Sequence, residues 1–544
     1  MKVKIPAYIL VELRNKDELT WSPYIPRHYS INDDRIIDFE LGNLPDKIRK
    51  KLKIALNKSN TDKKCINAYR YIQRYEKIIA DVKNAKISNL NQLPSVMKKY
   101  LTEHTKRNWL FSETDDGAHL PFVVTNVTYH PPSRDTFAHV IIHMYYVCPK
   151  QNKLAKRNIV LNNQDIKRTL SDIIMRQDYF FETNLGIDNY ERDVEEYKKI
   201  FYRIGKQYVS GGMANYTGRF YGNRCEATKT AGILHKLVVD ENLDGKIPSP
   251  FVQSKLFERD EQGDYPNVEA PFHCLVKMYD LEKYANLYAH VSILKEYEYN
   301  KEVIKKIILK EENRELLDIL MNSEDNLMED IISGKTGGII VMCSGVAGVG
   351  KTLTAEVYSE TMGKPLYKVQ SSQLGLTITD VENNLKDALL RADKWNAILL
   401  IDEADTYVHE RGDDILQNCI VGVFLRVLEY YRGILFMTTN RGTKVDDAIL
   451  SRCTAHIRYE LPNQDELNKI WKILSAQGGI KITDEDIAAI VDKYPVMSGR
   501  DVKSTLKLCK KISESKGEKI DVKMVGKIEK FLNYTNKENT ALPY

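Results

Sequence analysis

An α/β fold built on a parallel sheet is predicted for the second half of this sequence. An all-helical lid follows it, and an α+β region precedes it. Three observations predict this. Between residues 339 and 459, short apolar runs alternate with amphipathic stretches; the runs are Ile339–Cys343, Leu366–Val369, Ala397–Ile401, Ile434–Thr438 and His456–Tyr459. Strands alternating with helices predict a parallel sheet covered on both faces. After Pro462 only helical patterns remain, at about 465–475, 484–493, 499–513 and 521–532. Before residue 296 the patterns mix, in a stretch rich in Tyr, Lys and Asn. The expected organisation is therefore 1–295, an α+β domain or two small ones that recruit a substrate or partner; 296–462, the core; and 463–544, the lid.

Taken in order, Ile5–Leu13 reads as a strand, Ala138–Val147 as another, and Asp193–Ile204 as a helix. Lys301–Leu309 and Glu312–Met321 carry apolar residues at helical spacing. Gly337 and Gly338 break the chain before the first core strand. Asp380–Asp393 and Asp414–Tyr431 read as helices between core strands.

Composition restricts the function classes. The chain has 544 residues, 43% apolar and 28% charged, as in ordinary globular proteins. A net charge of +5 on so long a chain creates no global field that would demand nucleic acid or anionic lipid. The N-terminal Met1–Pro6 lacks a signal peptide's apolar core, and no run is long enough to span a bilayer, so no membrane partner is expected. Eight scattered cysteines, without a C-x-x-C pair, argue against a zinc site or disulfide framework and fit a cytoplasmic location.

Three motifs carry chemistry. Gly345-Val-Ala-Gly348-Val349-Gly350-Lys351-Thr352 matches G-x-x-x-x-G-K-[ST] and lies between a predicted strand and helix. Glycines there let backbone N–H groups curl around phosphate oxygens, and the following helix adds its dipole. Lys351 is placed to reach the β- and γ-phosphates, and Thr352 to ligate magnesium. The second motif, Ala397–Asp405, is an apolar strand ending in acids. Asp402 is the candidate magnesium ligand, and Glu403 the residue that activates water. In the third, Gly433–Arg441, Asn440 follows a strand predicted to lie beside the first two. It is a candidate for contact with the γ-phosphate or the water.

Asp402-Glu403-Ala404-Asp405 also spells a helicase signature. The chain after it, however, lacks the Ser-Ala-Thr and His-Arg-x-Gly-Arg blocks such helicases need.

Together these blocks resemble the AAA ATPases, the hexameric branch of the AAA+ class of P-loop proteins, over roughly residues 296–535. In that resemblance Gly345–Thr352 looks like Walker A, Ile398–Glu403 like Walker B, and Asn440 like sensor 1. Asp446–Cys453 resembles the segment carrying an arginine finger, which implies that Arg452 reaches a neighbouring subunit's ATP. Its Ser451-Arg452-Cys453 form is most similar to clamp-loader subunits. Arg500, after the candidate N-cap Ser498, resembles a sensor 2 arginine contacting the same subunit's nucleotide. The segment Tyr297–Gly338 resembles the family's adenine-contacting lead-in, with Asp330-Ile331-Ile332 as the candidate. The resemblance implies ATP and magnesium as cofactors and a homo-oligomeric ring.

Two departures stand out. Ser371–Thr377, where many threading members carry an aromatic, has only Leu374 and Leu376 to grip a chain. The usual second finger arginine is missing, with Arg458 nearby; Arg426 is a further interface candidate. Tyr208–Thr230 interleaves Gly, aromatics and cations, which reads as a solvated loop or a single-strand nucleic-acid surface. The expected function is remodelling or partial unfolding of a protein partner bound through residues 1–295. A nucleic-acid-acting ATPase and an ATP-dependent switch in a bacterial defence or signalling complex are the alternatives.

Overall fold

A computed structural model describes residues 2–17, 21, 36–40, 46–58, 65, 68–69, 72–73, 87–113, 118–148, 153–210, 215–221, 224–228, 235–242, 245–247, 250–322, 338–375, 377–410, 415–440 and 445–531. The core is a five-stranded sheet of β1 (Ile339–Gly345), β2 (Leu366–Gln370), β3 (Ile398–Asp402), β4 (Ile434–Thr439) and β5 (Ala455–Tyr459). Its order is β2-β3-β4-β1-β5, and every pairing is parallel. All five predicted strands are present, within two residues of their expected ends.

These runs are continuously apolar because both faces of the sheet are covered. Around the sheet lie α1 (Glu311–Asn322), α2 (Lys351–Met362), α3 (Ile378–Lys394) and α4 (Ile415–Leu428). Met342, Leu399, Ile401, Leu435 and Met437 face α3 and α4, meeting Leu385, Leu389, Phe424 and Leu428. Their strand neighbours Val341, Cys343, Leu400 and Phe436 face the other way, onto Ala355 and Tyr358 of α2 and Leu317 and Met321 of α1. Each large side chain buried in this way contributes roughly 1.5–3 kcal/mol.

The lid is α5 (Gln464–Gln477), α6 (Asp484–Lys493), α7 (Gly499–Lys516) and α8 (Val522–Ile528). It closes around its own core of Trp471, Ile490, Val502, Leu506 and Val525. Side-chain caps start all four of these helices: Asn463 with Glu466, Thr483 with Asp486, Ser498 with Asp501, and Asp521 with Met524.

Among the described residues the N-terminal part holds four antiparallel sheets, one of five strands, one of seven and two of two strands each. The seven-stranded sheet includes His235–Val239, Leu275–Asp280 and Ala285–His290. It packs onto the core at α3. Asp240 accepts hydrogen bonds from Trp395 Nε1 at 3.1 Å and Lys394 Nζ at 2.8 Å. Gly205 lies against this corner so closely that a Cβ would come 2.4 Å from the Trp395 carbonyl oxygen.

Three sequence expectations differ from the structure. Ile5–Leu13 is mostly helix, Ala7–Lys16, because Pro6 at φ −59° caps it and Ile9 and Leu10 point into the core. Lys301–Leu309 forms only a 3-10 turn, Lys301–Lys306, with no buried side chain to sustain a longer helix. Within Tyr208–Thr230 the backbone forms paired strands, Asn215–Tyr221 and Arg224–Thr228, rather than a loop. Asp330–Ile332 lies outside the described residues. Among the described residues no helix is long and apolar enough to cross a membrane.

Candidate nucleotide site

The C-terminal ends of β1, β3 and β4 deliver the three motifs to one edge of the sheet. In open α/β sheets this is where ligands bind. β1 runs into the glycine loop. Gly348 and Gly350 adopt φ +86° and +103°, a region that suits glycine. Lys351 and Thr352 then open α2, with Gly350 as N-cap. Val349 packs at the margin of the apolar cluster under α2.

Lys351 is 7% exposed. Its ammonium donates to the carbonyl oxygens of Gly345 and Val346, each at 2.7 Å, and to Asn440 Oδ1 at 2.9 Å. All three acceptors are neutral. Burial holds its pKa below the ordinary lysine value; Asp405 and Asp402, at longer range, push the other way. A buried ammonium with no direct counter-anion among the described residues, in a cradle of backbone N–H groups, fits a phosphate.

Asp402 ends β3. Its Oδ1 accepts from Thr352 Oγ1 at 2.9 Å and from Thr438 Oγ1 at 2.6 Å. Its Oδ2 meets Lys368 Nζ of β2 at 2.6 Å. Burial raises the carboxyl's pKa, but Lys368 and the two threonine hydroxyls outweigh it and hold it below the usual range. A hydroxyl and a carboxylate side by side form a hard oxygen pair that suits magnesium.

Glu403 sits at φ +56°, strained for a residue with a Cβ. Its amide donates to Thr438 Oγ1 at 3.0 Å, which helps hold that conformation. The Glu403 side chain is exposed and makes no described hydrogen bond. A strained backbone presenting an unengaged carboxylate at a phosphate cradle suits a residue that must meet water. Asn440 is steered from below: its amide donates to Asp405 Oδ1 at 3.0 Å while its own Oδ1 faces Lys351.

The lid reaches the same loop. The Arg500 amide donates to the Gly348 carbonyl at 3.3 Å. A Cβ on Gly348 would strike Ser498 Oγ at 2.6 Å and Arg500 Cβ at 2.8 Å. Arg500 is thus at the cradle of its own chain, and its guanidinium acts on the charge of Lys351.

Arg452 is elsewhere. It is exposed after the short helix Asp447–Leu450, and Nη1 bonds the Ala448 carbonyl at 3.1 Å. Arg426 pairs within the chain, with Glu382 at 2.7 Å. Leu374 is 1% exposed and packs in the core, so it is unavailable to grip a substrate. Tyr407 instead ties this segment down, donating to the Ser371 carbonyl at 2.7 Å.

Sequence reasoning missed Lys368, Thr438 and Asp405 as site residues. Thr438 and Asp405 stood inside quoted motifs without a role. For Lys368 no signal existed, since its partner is thirty-odd residues away on a neighbouring strand.

Comparison with known proteins accords with this geometry. Residues 341–461 match the model of the AAA family, "ATPase family associated with various cellular activities". A 26S proteasome regulatory subunit homolog of Methanocaldococcus jannaschii is 26% identical over 38% of this chain and 57% of its own length. Fidgetin-like protein 1 of Homo sapiens is 26% identical over 34% of this chain and 29% of its own. Spastin of Gallus gallus is 25% identical over 30% and 28%. The chain thus spans about half the length of the first of these relatives and less of the others. From the glycine cradle, the strand order and the matched family, the chain carries an AAA-type P-loop ATPase domain.

Proposed function

We propose that this chain hydrolyses ATP at the Gly345–Thr352 cradle, assembles into a ring, and uses the cycle to remodel or partly unfold a protein partner. The observation that carries the ATPase reading is Lys351: a buried ammonium whose hydrogen bonds among the described residues all go to neutral acceptors, with Thr352, Asp402 and Glu403 around it.

In this reading the backbone N–H groups of Gly348–Thr352 and the Lys351 ammonium bind the phosphates of ATP. Thr352 and Asp402 would hold magnesium, which, when bound, neutralises charge on the phosphates. Asn440 orients the attacking water or the γ-phosphate. Glu403 accepts the water's proton. Arg500 closes the lid side. Arg452, exposed and away from the cradle of its own chain, is supplied to a neighbouring protomer's site, where its guanidinium meets charge on the transferred group. The resemblance of the core supports a ring of six protomers. Residues 1–295 recruit the partner, and similarity to a proteasome regulatory subunit homolog favours a protein as that partner.

Mixing two inactive variants tests the shared site. Arg452→Ala protomers keep Glu403, and Glu403→Gln protomers keep Arg452. Their mixture should recover part of the turnover that each lacks alone. No recovery, or full activity of dilute Arg452→Ala monomers, would overturn the ring. Stimulation by single-stranded DNA that collapses with salt would move the partner from protein to nucleic acid.

A further inference from the structure

Asp402 has both carboxylate oxygens engaged. Thr352 and Thr438 hold Oδ1, and Lys368 holds Oδ2 at 2.6 Å. Lys368 comes from β2, the strand flanking β3 on the side away from the glycine loop. The pair is partly buried, with side chains 28% and 16% exposed, so the charges act through a medium far less screening than water. The charge of Glu356, one helical turn beyond Thr352 on α2, also acts on this ammonium.

We propose that Lys368 is a built-in counter-cation of the magnesium site: it takes up part of the Asp402 charge and so raises the magnesium concentration the site needs. The proposal rests on the reading that Thr352 and Asp402 are the magnesium ligands. Two physical effects compete when the ammonium is removed. Loss of a hydrogen bond frees Oδ2, which would loosen the carboxylate. Loss of a nearby positive charge gives the metal the whole carboxylate. The second wins here for two reasons. Thr352 and Thr438 still fix Oδ1, and at effective dielectric constants of about 20 the repulsion between an ammonium and a dication outweighs the lost hydrogen bond. Lys368 is therefore a positioning and tuning residue, not a catalytic one. It lies on β2, which leads directly into the short helix Ser371–Leu374.

The test uses the full chain and a fluorescent ATP analogue, titrated with magnesium and read by anisotropy. Lys368→Met should lower the half-saturating magnesium concentration about tenfold, which corresponds to a net gain of about 1.4 kcal/mol once the lost hydrogen bond is set against the removed repulsion. Lys368→Gln, which keeps a donor for Oδ2 without the charge, should move the same way; Lys368→Arg should stay near wild type. A second readout, without nucleotide, is the rise in melting temperature on adding magnesium, which should be larger in the Met and Gln variants. An unchanged midpoint, meaning a structural strut, or a raised one, meaning a device that orients Asp402 for the metal, overturns the proposal. Failure of the wild-type protein to bind the analogue in excess magnesium overturns the ATPase reading itself.

Discussion

Thr438→Val tests the site's least obvious support. Thr438 is buried at the end of β4, and its hydroxyl makes two bonds: it donates to Asp402 Oδ1 at 2.6 Å and accepts from the Glu403 amide at 3.0 Å. Valine has nearly the same shape, so packing is preserved and both bonds vanish. The bond to a carboxylate is worth about 1.5–3 kcal/mol and the bond to an amide about 1 kcal/mol. Asp402 retains Thr352 and Lys368, so the stability loss should fall near the lower end, about 1–3 kcal/mol. The larger consequence is functional. Without its amide bond, Glu403 is free to leave φ +56°, and its carboxylate no longer points at a fixed place. If about 1.5–3 kcal/mol of this positioning is realised in the transition state, turnover falls roughly 10- to 100-fold. Steady-state ATPase assays should show this with nucleotide affinity changed only a few-fold, and Thr438→Ser should be close to wild type. Equal turnover in the Val and Ser variants would refute the reasoning, because the hydroxyl would then do nothing for Glu403.

Other perturbations follow from the same geometry. Glu403→Gln should bind ATP normally and hydrolyse it at least about a hundredfold more slowly, as expected for loss of a general base; near-normal single-turnover rates would remove Glu403 from that role. Gly348→Ala should weaken nucleotide binding, since a Cβ there adds left-handed strain and strikes Ser498 and Arg500 of the lid; unchanged affinity by calorimetry would show that the lid does not rest on this loop. Asp193 gives a pH prediction. Burial raises its pKa to about 6. A raised acid favours the protonated folded state, so its penalty is absent below about pH 4 and complete above about pH 6. Asp193→Asn should accordingly raise the melting temperature at pH 8 and leave it unchanged at pH 4; equal shifts at both would contradict the assignment.

Much of the core was legible because its signals are local. β1, β3 and β4 are short, continuously apolar runs bounded by glycine or acids, and burial on both faces demands that pattern. The glycine cradle, Asp402, Glu403 and Asn440 were legible as chemistry at strand ends. What could not be read depends on neighbours distant in sequence. Lys368 matters only because β2 lies beside β3, and Thr438 only because β4 lies on the other side. Leu374 looked available, yet tertiary packing buries it. At the N-terminus, Ile5–Leu13 has the composition of a strand, and it takes Pro6 as a cap and a partner core to make most of it a helix.

Every role assigned to the site depends on the Lys351 ammonium meeting a nucleotide phosphate. Calorimetric titration of ATP with magnesium into the wild-type chain and Lys351→Ala, at equal protein concentration, tests this directly. The wild type should show one saturable site per protomer. The variant should bind at least a hundredfold more weakly, from loss of about 3 kcal/mol of charge-assisted contact. Equal affinities in the two proteins, or no heat of binding in the wild type, would show that the cradle holds no nucleotide through this lysine.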